Sequence, residues 1–574
     1  MPHECAYRSL EAETSENAVL FCKIRTISSL DHLLQNISRT HFEDVISLHV
    51  QCSEILFFES TLTTQAEKPP GKHTSLSKMR DLVVDKCKIR QIPARAFENF
   101  KDLKRLHVTT HNKDGAFEGL LSLQVLNLSS NFLNTVPPEL FSESKSLKEI
   151  NFSNNTINTL PPGLFEGLDQ LQILDLSNNI LTSQWINKGT FVGLLHEHAF
   201  GELRNLHSLT LSNNKLVHIH THLFTDLHVL HELFIDNNNI KHIDEDAFEN
   251  MTAIEDLVLN DNSLSVFPSS VRKLRSLRSL DIGKNNITHL NRENFRGLSE
   301  LFGLRLVDNK VTYLNEDTFE HLPQLQVLNL ASNKIKHVSP GCFRKNVNLK
   351  LLRMDGNEIT KFDGIFNTLN SLVWLNMSAN KLTFFDFRSF PNSLEWLDLH
   401  KNNIENFVND DMYSNVNIKL LDLSFNNISQ ITVTSIPKSV EKLYLNDNNI
   451  QGIQVGSFSK LKRLLTVALN NNKLVQLDMN AFRLDQIDED SDLPEFFISG
   501  NPFVCDCSME WIQRINYLSH SRQYPRVLDL DKAFCTLVHS RLALLKYIFS
   551  PPFISYCKYN IVNYCHTFCQ FSHT

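Results

Sequence analysis

The chain has 574 residues, 42% of them hydrophobic, and a formal net charge of −8. Single hydrophobic cores stop growing at about 250–300 residues, so one compact core is not expected. Lysine and arginine are scattered instead of forming a basic face, which argues against nucleic-acid binding. No apolar run reaches about 18 residues, so the sequence predicts no membrane-spanning helix.

Residues 1–75 are predicted to be a cysteine-containing N-terminal flank. The opening stretch MPHECAYRSLEAETSENA lacks the basic-then-apolar pattern of a signal peptide. Four cysteines lie at this end of the chain: Cys5, Cys22, Cys52 and Cys87. Four cysteines allow three pairings, and the sequence does not choose among them.

Residues 76–500 repeat the phrase L-x-x-L-x-L-x-x-N, with a spacing of 24 residues in most intervals. About 17 phrases are present: fifteen end in asparagine, and two early ones end in Cys87 and His111 instead. This is the leucine-rich-repeat signature, which predicts an α/β solenoid in the form of a horseshoe with cysteine-rich caps. A parallel sheet is expected on the concave side and irregular or short-helical segments on the convex side. The asparagines of the phrase are Asn131, Asn155, Asn179, Asn214, Asn238, Asn262, Asn285, Asn309, Asn333, Asn357, Asn380, Asn402, Asn426, Asn448 and Asn472.

Each phrase is interpreted as a short strand followed by a turn. In LQVLNLSSN, Leu123, Leu126 and Leu128 point inward, and Asn131 is expected to bond backbone groups of the turn. Phenylalanine stands ten residues after the asparagine position in most repeats, which predicts a buried spine of packed rings and not a cofactor site. The members of this spine are Phe97, Phe141, Phe165, Phe224, Phe248, Phe295, Phe319, Phe343, Phe390, Phe458 and Phe482.

The interval between Asn179 and Asn214 is 35 residues long. It contains two phenylalanine landmarks, Phe191 and Phe200, but only one strand phrase, LHSLTL. One hypothesis is a skipped or mis-joined segment from which a strand has been lost. The plainer interpretation is a surface insertion, which repeats tolerate on their loops.

Residues 501–560 are predicted to be a cysteine-rich C-terminal cap, and residues 561–574 the truncated start of a further cysteine-rich module. Cysteines confined to the two ends of a repeat stack indicate disulfide-bonded caps and an oxidising, extracellular compartment. Cys342 alone lies in mid-array, where a buried free thiol is expected and interchain pairing is the alternative. The cysteines of the C-terminal end are Cys505, Cys507, Cys535, Cys557, Cys565 and Cys569.

Eight N-x-S/T sequons agree with secretion. Three of them occupy the position between the last two leucines of the phrase, which faces outward from the sheet. A glycan at those positions would obstruct the concave face and would leave two clear windows, 210–353 and 398–468. The sequon asparagines are Asn36, Asn127, Asn151, Asn154, Asn250, Asn286, Asn376 and Asn427, of which Asn127, Asn151 and Asn376 hold the outward position.

The ligand-binding candidates are the outward residues within those windows that belong to types enriched at binding hot spots. They are Phe234, Arg305, Arg353 and Tyr444. Trp374 and Trp396 stand two positions before the outward slot in adjacent repeats. They are expected to pack on one another, half-buried, beside the Asn376 sequon.

Histidines are dense between His196 and His242. The segment HIHTH places His218, His220 and His222 on alternate positions, and a solvated surface is favoured there over a pH-sensitive patch. A zinc site in CHTFC is disfavoured, because an oxidising compartment favours disulfides and a second ligand pair is absent. No metal and no cofactor is expected.

Two groups of phrases carry a more specific resemblance. NPFVCDCSMEWIQRIN, followed by two spaced cysteines, resembles the C-terminal flank of extracellular leucine-rich-repeat proteins, which implies disulfides between Cys505 and Cys535 and between Cys507 and Cys557. CKIRQIPARAF, LKRLHVTTHN, LTSQWINKGTF and CDCSMEWIQRINYLSHSRQYPRVLDLD resemble the long Toll receptors of arthropods, the Tollo and 18-wheeler type. This second resemblance covers roughly residues 76–565.

The Toll resemblance implies the first repeat block of a receptor ectodomain at the extracellular face of the plasma membrane, in innate immune or developmental signalling. It implies a protein ligand, a Spätzle-like cystine-knot cytokine or another cell-surface protein, and receptor dimerisation. Because signal peptide, membrane span and intracellular TIR domain are lacking, the chain is interpreted as a fragment, an incomplete gene model or a truncated secreted form. The alternative is a secreted adhesion, matrix or decoy protein with the same repeats. An enzyme is not expected, because nucleophile elbow, phosphate loop and H-E-x-x-H motifs are absent.

Overall fold

The computed structural model describes most of the repeat array and parts of both flanks. The described residues are 5–9, 18–24, 45–52, 78–92, 97, 100–112, 117–161, 163–183, 200, 203–221, 223–224, 226–362, 364–409, 416–488, 491–504, 509, 511–536 and 558–560. The chain divides into two compact units, the first comprising Met1–Ile287 with Arg296–Leu301 and the second Thr288–Phe295 with Phe302–Thr574.

The first unit contains one parallel sheet with an antiparallel strand at its start. β2 to β9, β11, β13 and β14 pair in parallel in chain order, β1 pairs antiparallel with β2, and β10 pairs with β12 in a separate two-stranded sheet. The strands are β1 Cys5–Ser9, β2 Ala18–Ile24, β3 Val45–Cys52, β4 Asp81–Ile92, β5 Arg105–Asn112, β6 Val125–Asn127, β7 Glu149–Asn151, β8 Ile173–Asp175, β9 Ser208–Thr210, β10 His218–Ile219, β11 Glu232–Phe234, β12 His242–Ile243, β13 Asp256–Val258 and β14 Ser279–Asp281.

The second unit repeats the same plan. β15, β17, β19, β20, β22, β24, β26, β28, β29 and β31 form its parallel sheet, and the remaining strands form small accessory sheets. The strands are β15 Gly303–Arg305, β16 Tyr313–Leu314, β17 Val327–Asn329, β18 His337–Val338, β19 Leu351–Arg353, β20 Trp374–Asn376, β21 Phe384–Asp386, β22 Trp396–Asp398, β23 Asn406–Val408, β24 Leu420–Asp422, β25 Gln430–Ile431, β26 Lys442–Tyr444, β27 Gly452–Ile453, β28 Thr466–Ala468, β29 Glu495–Phe497, β30 Phe503–Val504, β31 Arg526–Val527, β32 Phe534–Thr536 and β33 Lys558–Asn560.

Helix is restricted to short turns within the described residues. A single α-helical turn spans Trp511–Arg514. The short 3-10 helices are Ser269–Lys273, Arg292–Phe295, Phe387–Ser389, Met479–Ala481, Ile515–Ser521 and Leu530–Lys532. Each of the seventeen predicted strand phrases contains a strand of a parallel sheet, so the predicted leucine-rich-repeat solenoid is confirmed. The parallel pairing also continues into β2 and β3, which lack the repeat phrase.

The phrase asparagines form a buried ladder, as the sequence predicts. The Asn155 side-chain amide donates to the carbonyl of Phe152 in its own repeat and to that of Leu128 in the preceding one, both at 2.9 Å. Its Oδ1 accepts the N–H of Leu133 at 3.0 Å. A primary amide is required because it donates and accepts in one plane, and these backbone groups are buried away from water. The asparagine ladder therefore joins consecutive repeats as well as closing each turn.

The residue before each ladder asparagine adopts the left-handed backbone region. Asn154 and Asn178 have φ of 56° and 53°, and Gly356 has 68°. Asparagine and glycine tolerate this region better than other residues. Phe425 also occupies it, with φ of 55°. The left-handed conformation is therefore kept even at a bulky residue that disfavours it.

The predicted phenylalanine spine is present. Phe319 and Phe343 stack with ring centroids 5.7 Å apart and planes 7° apart, and Phe366 and Phe390 stack at 6.0 Å. Towards the C-terminal end the packing changes, since Phe458 and Phe482 meet edge-to-face at 6.3 Å. The buried rings belong to the hydrophobic core, as the sequence predicts, and do not form a cofactor site.

The 35-residue interval is accommodated without a gap in the sheet. β8 pairs directly with β9, and the Asn214 amide donates to the carbonyl of Leu176 at 3.0 Å, so the ladder crosses the interval unbroken. Phe200 stacks on both Phe165 and Phe224, at 6.5 and 6.3 Å. Phe191 lies outside the described residues. The sheet and the ladder are therefore continuous across the interval, and both sequence interpretations of it stay predictions.

Two terminal cysteines are in disulfide bonds, Cys22 at the N-terminal end and Cys535 at the C-terminal end. The side chains of Cys5 and Cys52, and all of Cys505, Cys507 and Cys557, lie outside the described part of the structure. The pairings of Cys535 with Cys505 and of Cys507 with Cys557 stay predictions.

Candidate functional site

The solvent-facing side of the parallel sheet is formed by two rows of side chains. In most three-residue strands the middle residue is buried and the two flanking residues are partly exposed, as in β6, β7 and β9. We call the first residues of these strands the first row and the third residues the second row. The second row is the outward position on which the sequence-based candidates were chosen.

Asparagine and aspartate in the second row have a structural task. Each accepts a hydrogen bond from the backbone N–H two residues further on, and Asn127 does so from Ser129 at 2.9 Å. Such side-chain caps close the turn that leaves the strand. The sequon asparagines of this row cap in the same way through Oδ1, which leaves Nδ2 as the atom a glycan would use. The capping residues are Asn127, Asn151, Asp175, Asp281, Asn329, Asn376, Asp398 and Asp422.

The capping role was not anticipated from the sequence, although small or polar residues often follow two positions later. Because the capping residues have this structural role, fewer second-row residues remain as candidates for ligand binding. The residues that do not cap in this way include all four ligand-binding candidates, Phe234, Arg305, Arg353 and Tyr444. None of the four caps its turn in this way, although Arg353 bonds Asp355 within its own turn. They therefore remain the row's candidates for contact with a partner.

In the first unit, Phe234 is half-buried between Thr210 and Val258, its neighbours in the sheet register. Just before the same strands, the rings of His207 and His231 stack with centroids 5.3 Å apart. An aromatic ring held between two strands loses little side-chain entropy on binding a partner. Phe234 is therefore a rigid apolar contact point.

In the second unit the three remaining candidates do not form one cluster. Arg305 is exposed on β15, and Arg353 on β19 is separated from it by Asn329 on β17. That places the two arginines roughly 10 Å apart, at about 4.8 Å per strand. Tyr444 lies on β26, between Asp422 and Ala468.

The Arg353 guanidinium is held in place by Asp355. Two parallel bonds of 2.8 Å join Nε and one terminal nitrogen of Arg353 to the two carboxylate oxygens. The hydrogen bond to Asp355 raises the pKa of Arg353, so the side chain stays charged. Asp355 thereby fixes the orientation of the Arg353 guanidinium and occupies the two-nitrogen edge that pairs with a carboxylate.

The first row of the second unit contains an apolar stripe across five adjacent strands. Its central residues, Trp374 and Trp396, meet edge-to-face with ring centroids 5.7 Å apart, which confirms the predicted contact. Trp374 is half-buried as predicted, but Trp396 is 44% exposed, so the predicted half-burial is wrong for Trp396. We call Val327, Leu351, Trp374, Trp396 and Leu420 the tryptophan stripe.

Acidic side chains border the tryptophan stripe. Asp398, two residues after Trp396, accepts bonds from the backbone N–H of His400 at 3.0 Å and from its Nδ1 at 2.7 Å. Burial raises the pKa of Asp398, with the neighbouring Asp422 carboxylate adding to the rise and the bonds from His400 opposing it. The stripe thus combines an exposed aromatic surface with a polar border, the usual composition of a protein-binding face.

Seven of the eight sequon asparagines are partly or fully exposed, and Asn36 lies outside the described residues. Asn154 and Asn427 are the exposed ones, and Asn250 and Asn286 are half-buried away from the second row. Modification of these sites stays a prediction, as does obstruction of the sheet face by glycans at Asn127, Asn151 and Asn376.

Cys342 is buried and free, as predicted from its position before Phe343. Burial raises the pKa of its thiol, and the nearby Asp317 carboxylate adds to the rise. We expect Cys342 to resist iodoacetamide at pH 8 in the folded protein, because the thiolate is the reacting species. Peptide mass spectrometry after labelling should find it alkylated only when labelling is done in guanidinium chloride. Rapid labelling of the native protein, or a Cys342 disulfide between chains, would contradict the assignment.

The dense histidines form a cluster in the first unit. His218, His220 and His242 surround Asp244, whereas His222 lies outside the described residues. Burial lowers the pKa of His220, with His218 adding to the decrease. The pKa of Asp244 is lowered: burial opposes the change, but bonds from Thr221 and His218 outweigh it. His218, His220 and His242 all belong to the histidine-dense segment of the sequence, whereas Asp244 was not anticipated.

The repeats identify the class of protein. Nine segments match the Leucine rich repeat family: 108–157, 121–181, 145–197, 187–240, 204–264, 228–285, 257–311, 303–359 and 438–484. Together they cover more than half of the chain, which therefore belongs to this family.

Among individual proteins, the chain is 44% identical over 284 residues to Toll-like receptor 7 of Drosophila melanogaster. The match covers 49% of this chain and 20% of that receptor, so the chain spans about a fifth of the relative's length.

A solved structure shares the repeat architecture. A leucine-rich-repeat protein of Leptospira interrogans is 22% identical with a TM-score of 0.55, over 76% of this chain and 97% of that one. The structure of the Toll–Spätzle complex of Drosophila is 16% identical with a TM-score of 0.47, over 92% of this chain and 96% of that one. Within the described residues, no helix is both long and apolar enough to cross a membrane.

Proposed function

We propose that the chain is the extracellular ligand-binding region of a Toll-type receptor, without enzymatic activity. The observation that carries this proposal is the 44% identity to Toll-like receptor 7 over 284 residues, at a level where two repeat proteins share more than their period. The finer assignment to the long Tolls of the Tollo and 18-wheeler type belongs to the proposal, on the phrases that carry that resemblance. Its biological setting would be innate immune or developmental signalling.

Extracellular placement is supported by the chemistry of the two ends. Cys22 and Cys535 are disulfide-bonded, which fits an oxidising compartment. Of the seven described sequon asparagines two are exposed and five are half-buried, which is compatible with glycosylation. In this proposal residues 1–75 are the N-terminal flank, 76–500 the array, 501–560 the C-terminal cap and 561–574 the start of a further module. The chain would lie at the extracellular face of the plasma membrane.

The proposed ligand is a protein, either a Spätzle-like cystine-knot cytokine or another cell-surface protein, and receptor dimerisation would follow its binding. A protein surface suits the sheet face, because the contact residues are spread over many strands and do not converge on a small pocket. Phe234, Arg305, Arg353 and Tyr444 are the proposed second-row contacts. Trp396 joins them on the strength of its exposure in the tryptophan stripe.

Surface plasmon resonance with immobilised chain and purified Spätzle-type cytokines tests the proposal. Phe234→Ala and Arg305→Ala are expected to weaken binding, about thirtyfold for either residue that is a hot spot, since hot spots contribute roughly 2 kcal/mol or more. Matched controls are Val266→Ala, an exposed apolar residue outside the parallel sheet, and Arg344→Ala, an exposed arginine in a turn. Both controls should bind as the unmodified chain does.

Trp396→Ala separates the two candidate surfaces. If the second-row candidates have no effect and Trp396→Ala abolishes binding, the tryptophan stripe is the contact face and the four candidates are wrong. If every variant binds with unchanged affinity, the sheet face is not the ligand site. If no cystine-knot cytokine or cell-surface protein from the same species binds the chain, the receptor proposal itself fails.

A further inference from the structure

The His–Asp cluster of the first unit is built from consecutive repeats. His218 on β10 and His242 on β12 are direct partners in parallel register, and Asp244 follows β12 by one residue. The same register brings His220 alongside, with its ring centroid 3.6 Å from that of His218. Three imidazoles therefore face one carboxylate.

We propose that His218, His242 and Asp244 form a zinc-binding site. Their ligand atoms all lie within 4.8 Å of one another. Nε2 of His218 is 2.7 Å and Nε2 of His242 is 3.4 Å from the same carboxylate oxygen, Oδ1 of Asp244. Donor atoms around a tetrahedral zinc ion with bonds of about 2.0–2.1 Å are roughly 3.3 Å apart, and the two distances bracket that value. Small rotations of the side chains would bring all three atoms onto one ion.

The carboxylate is already oriented for this role. Its other oxygen, Oδ2, accepts the backbone N–H of Thr221 at 2.9 Å and the Thr221 hydroxyl at 3.2 Å. Oδ1 is thereby turned toward the imidazoles. Groups that fix a ligand in this way are typical of metal sites, where they orient the coordinating atom. The fourth position of the ion is open to water or to His220, whose Nδ1 is 3.6 Å from Oδ2.

Zinc fits this set of donors. Two imidazoles with one carboxylate suit zinc and other transition metals, whereas calcium and magnesium take oxygen ligands almost alone. Among the transition metals, zinc has no redox chemistry and accepts a tetrahedral set of nitrogen and oxygen ligands. The site is also reachable from solvent, since the side chain of His242 is 66% exposed. An ordinary surface ion pair needs only one histidine for one carboxylate. Further histidines would add little stability, because exposed ion pairs contribute little.

The site has natural controls within the same chain. His289 and His337 occupy the position in their repeats that His218 and His242 occupy in theirs, four residues after the ladder asparagine. The residues two positions further on are Asn291 and Ser339 instead of aspartate. His337→Ala therefore removes an exposed imidazole from the equivalent position without touching the cluster.

The test is isothermal titration of zinc chloride into the full chain after treatment with EDTA and dialysis. The unmodified chain is expected to bind one more equivalent of zinc than His242→Ala or Asp244→Asn, or to bind it at least about a hundredfold more tightly, since each variant removes a direct ligand. His337→Ala should match the unmodified chain. Thermal melts in EDTA should coincide for all four proteins, which establishes that the variants are folded.

Zinc should also raise the melting temperature of the unmodified chain and of His337→Ala but not of the two cluster variants, because an ion that binds only the folded state stabilises it. Equal zinc binding by all four proteins would overturn the proposal, and so would no binding by the unmodified chain. Neither result bears on the receptor proposal, which is tested with a protein ligand.

Discussion

Replacing Phe319 with alanine is expected to lower the free energy of unfolding of the array by about 3–5 kcal/mol, the range for deleting a buried phenylalanine side chain. Phe319 is fully buried, and its ring lies 5.5 Å from that of Phe295 and 5.7 Å from that of Phe343. The substitution removes both aromatic contacts and leaves a cavity that the regular repeats on either side cannot close. Urea denaturation followed by circular dichroism measures the loss as a lower transition midpoint.

Phe302→Ala is the matched control, because Phe302 lies in the same repeat as Phe319 but is 47% exposed, just before strand β15. Its effect should stay within about 0.5 kcal/mol, as for most surface substitutions. Because repeat arrays unfold in segments, a broadened transition for Phe319→Ala is also expected. Equal midpoints for Phe319→Ala and Phe302→Ala would show that the spine does not stabilise the stack.

The repeat period accounts for how much of the fold is readable from the sequence. Once Leu126 and Asn131 are placed in one repeat, the positions 24 residues later must be their equivalents. Burial of the ladder asparagines and stacking of the spine rings follow from that placement. Strands β2 and β3 were not anticipated, because AVLFCKI and VISLHVQC carry the alternation of a strand but not the leucine and asparagine of the phrase.

The candidate sites show where the argument from one repeat falls short. His218 and His220 attract attention because they are close in sequence, but the groups that complete their cluster, His242 and Asp244, are 22 to 26 residues away. The period could have indicated them, since residues one repeat apart become neighbours. Capping by residues such as Asn127 depends instead on turn geometry, which the spacing alone does not contain.

Asn333→Ala is expected to lower the free energy of unfolding by about 3 kcal/mol, because it leaves buried backbone groups without partners, at roughly 1–3 kcal/mol for each. The Asn333 amide donates to the carbonyls of Leu306 at 2.9 Å and Leu330 at 3.1 Å. Its Oδ1 accepts the N–H of Val311 at 3.1 Å. Neighbouring ladder asparagines also reach the two carbonyls, so the orphaned Val311 N–H accounts for much of the loss.

Asn329→Ala in the same repeat is the control, since it removes the same side chain from a partly exposed position. The Asn329 side chain makes one described bond, accepting the N–H of Ala331 at 3.0 Å, and water can replace that bond. Its loss should therefore cost about 1 kcal/mol or less. Hydrogen exchange adds a local measurement: the Val311 amide should lose protection in Asn333→Ala and keep it in Asn329→Ala. If both variants unfold at the same urea concentration, the buried hydrogen bonds of Asn333 do not stabilise the array. The recurrence of asparagine at this position of the repeat would then need another physical cause.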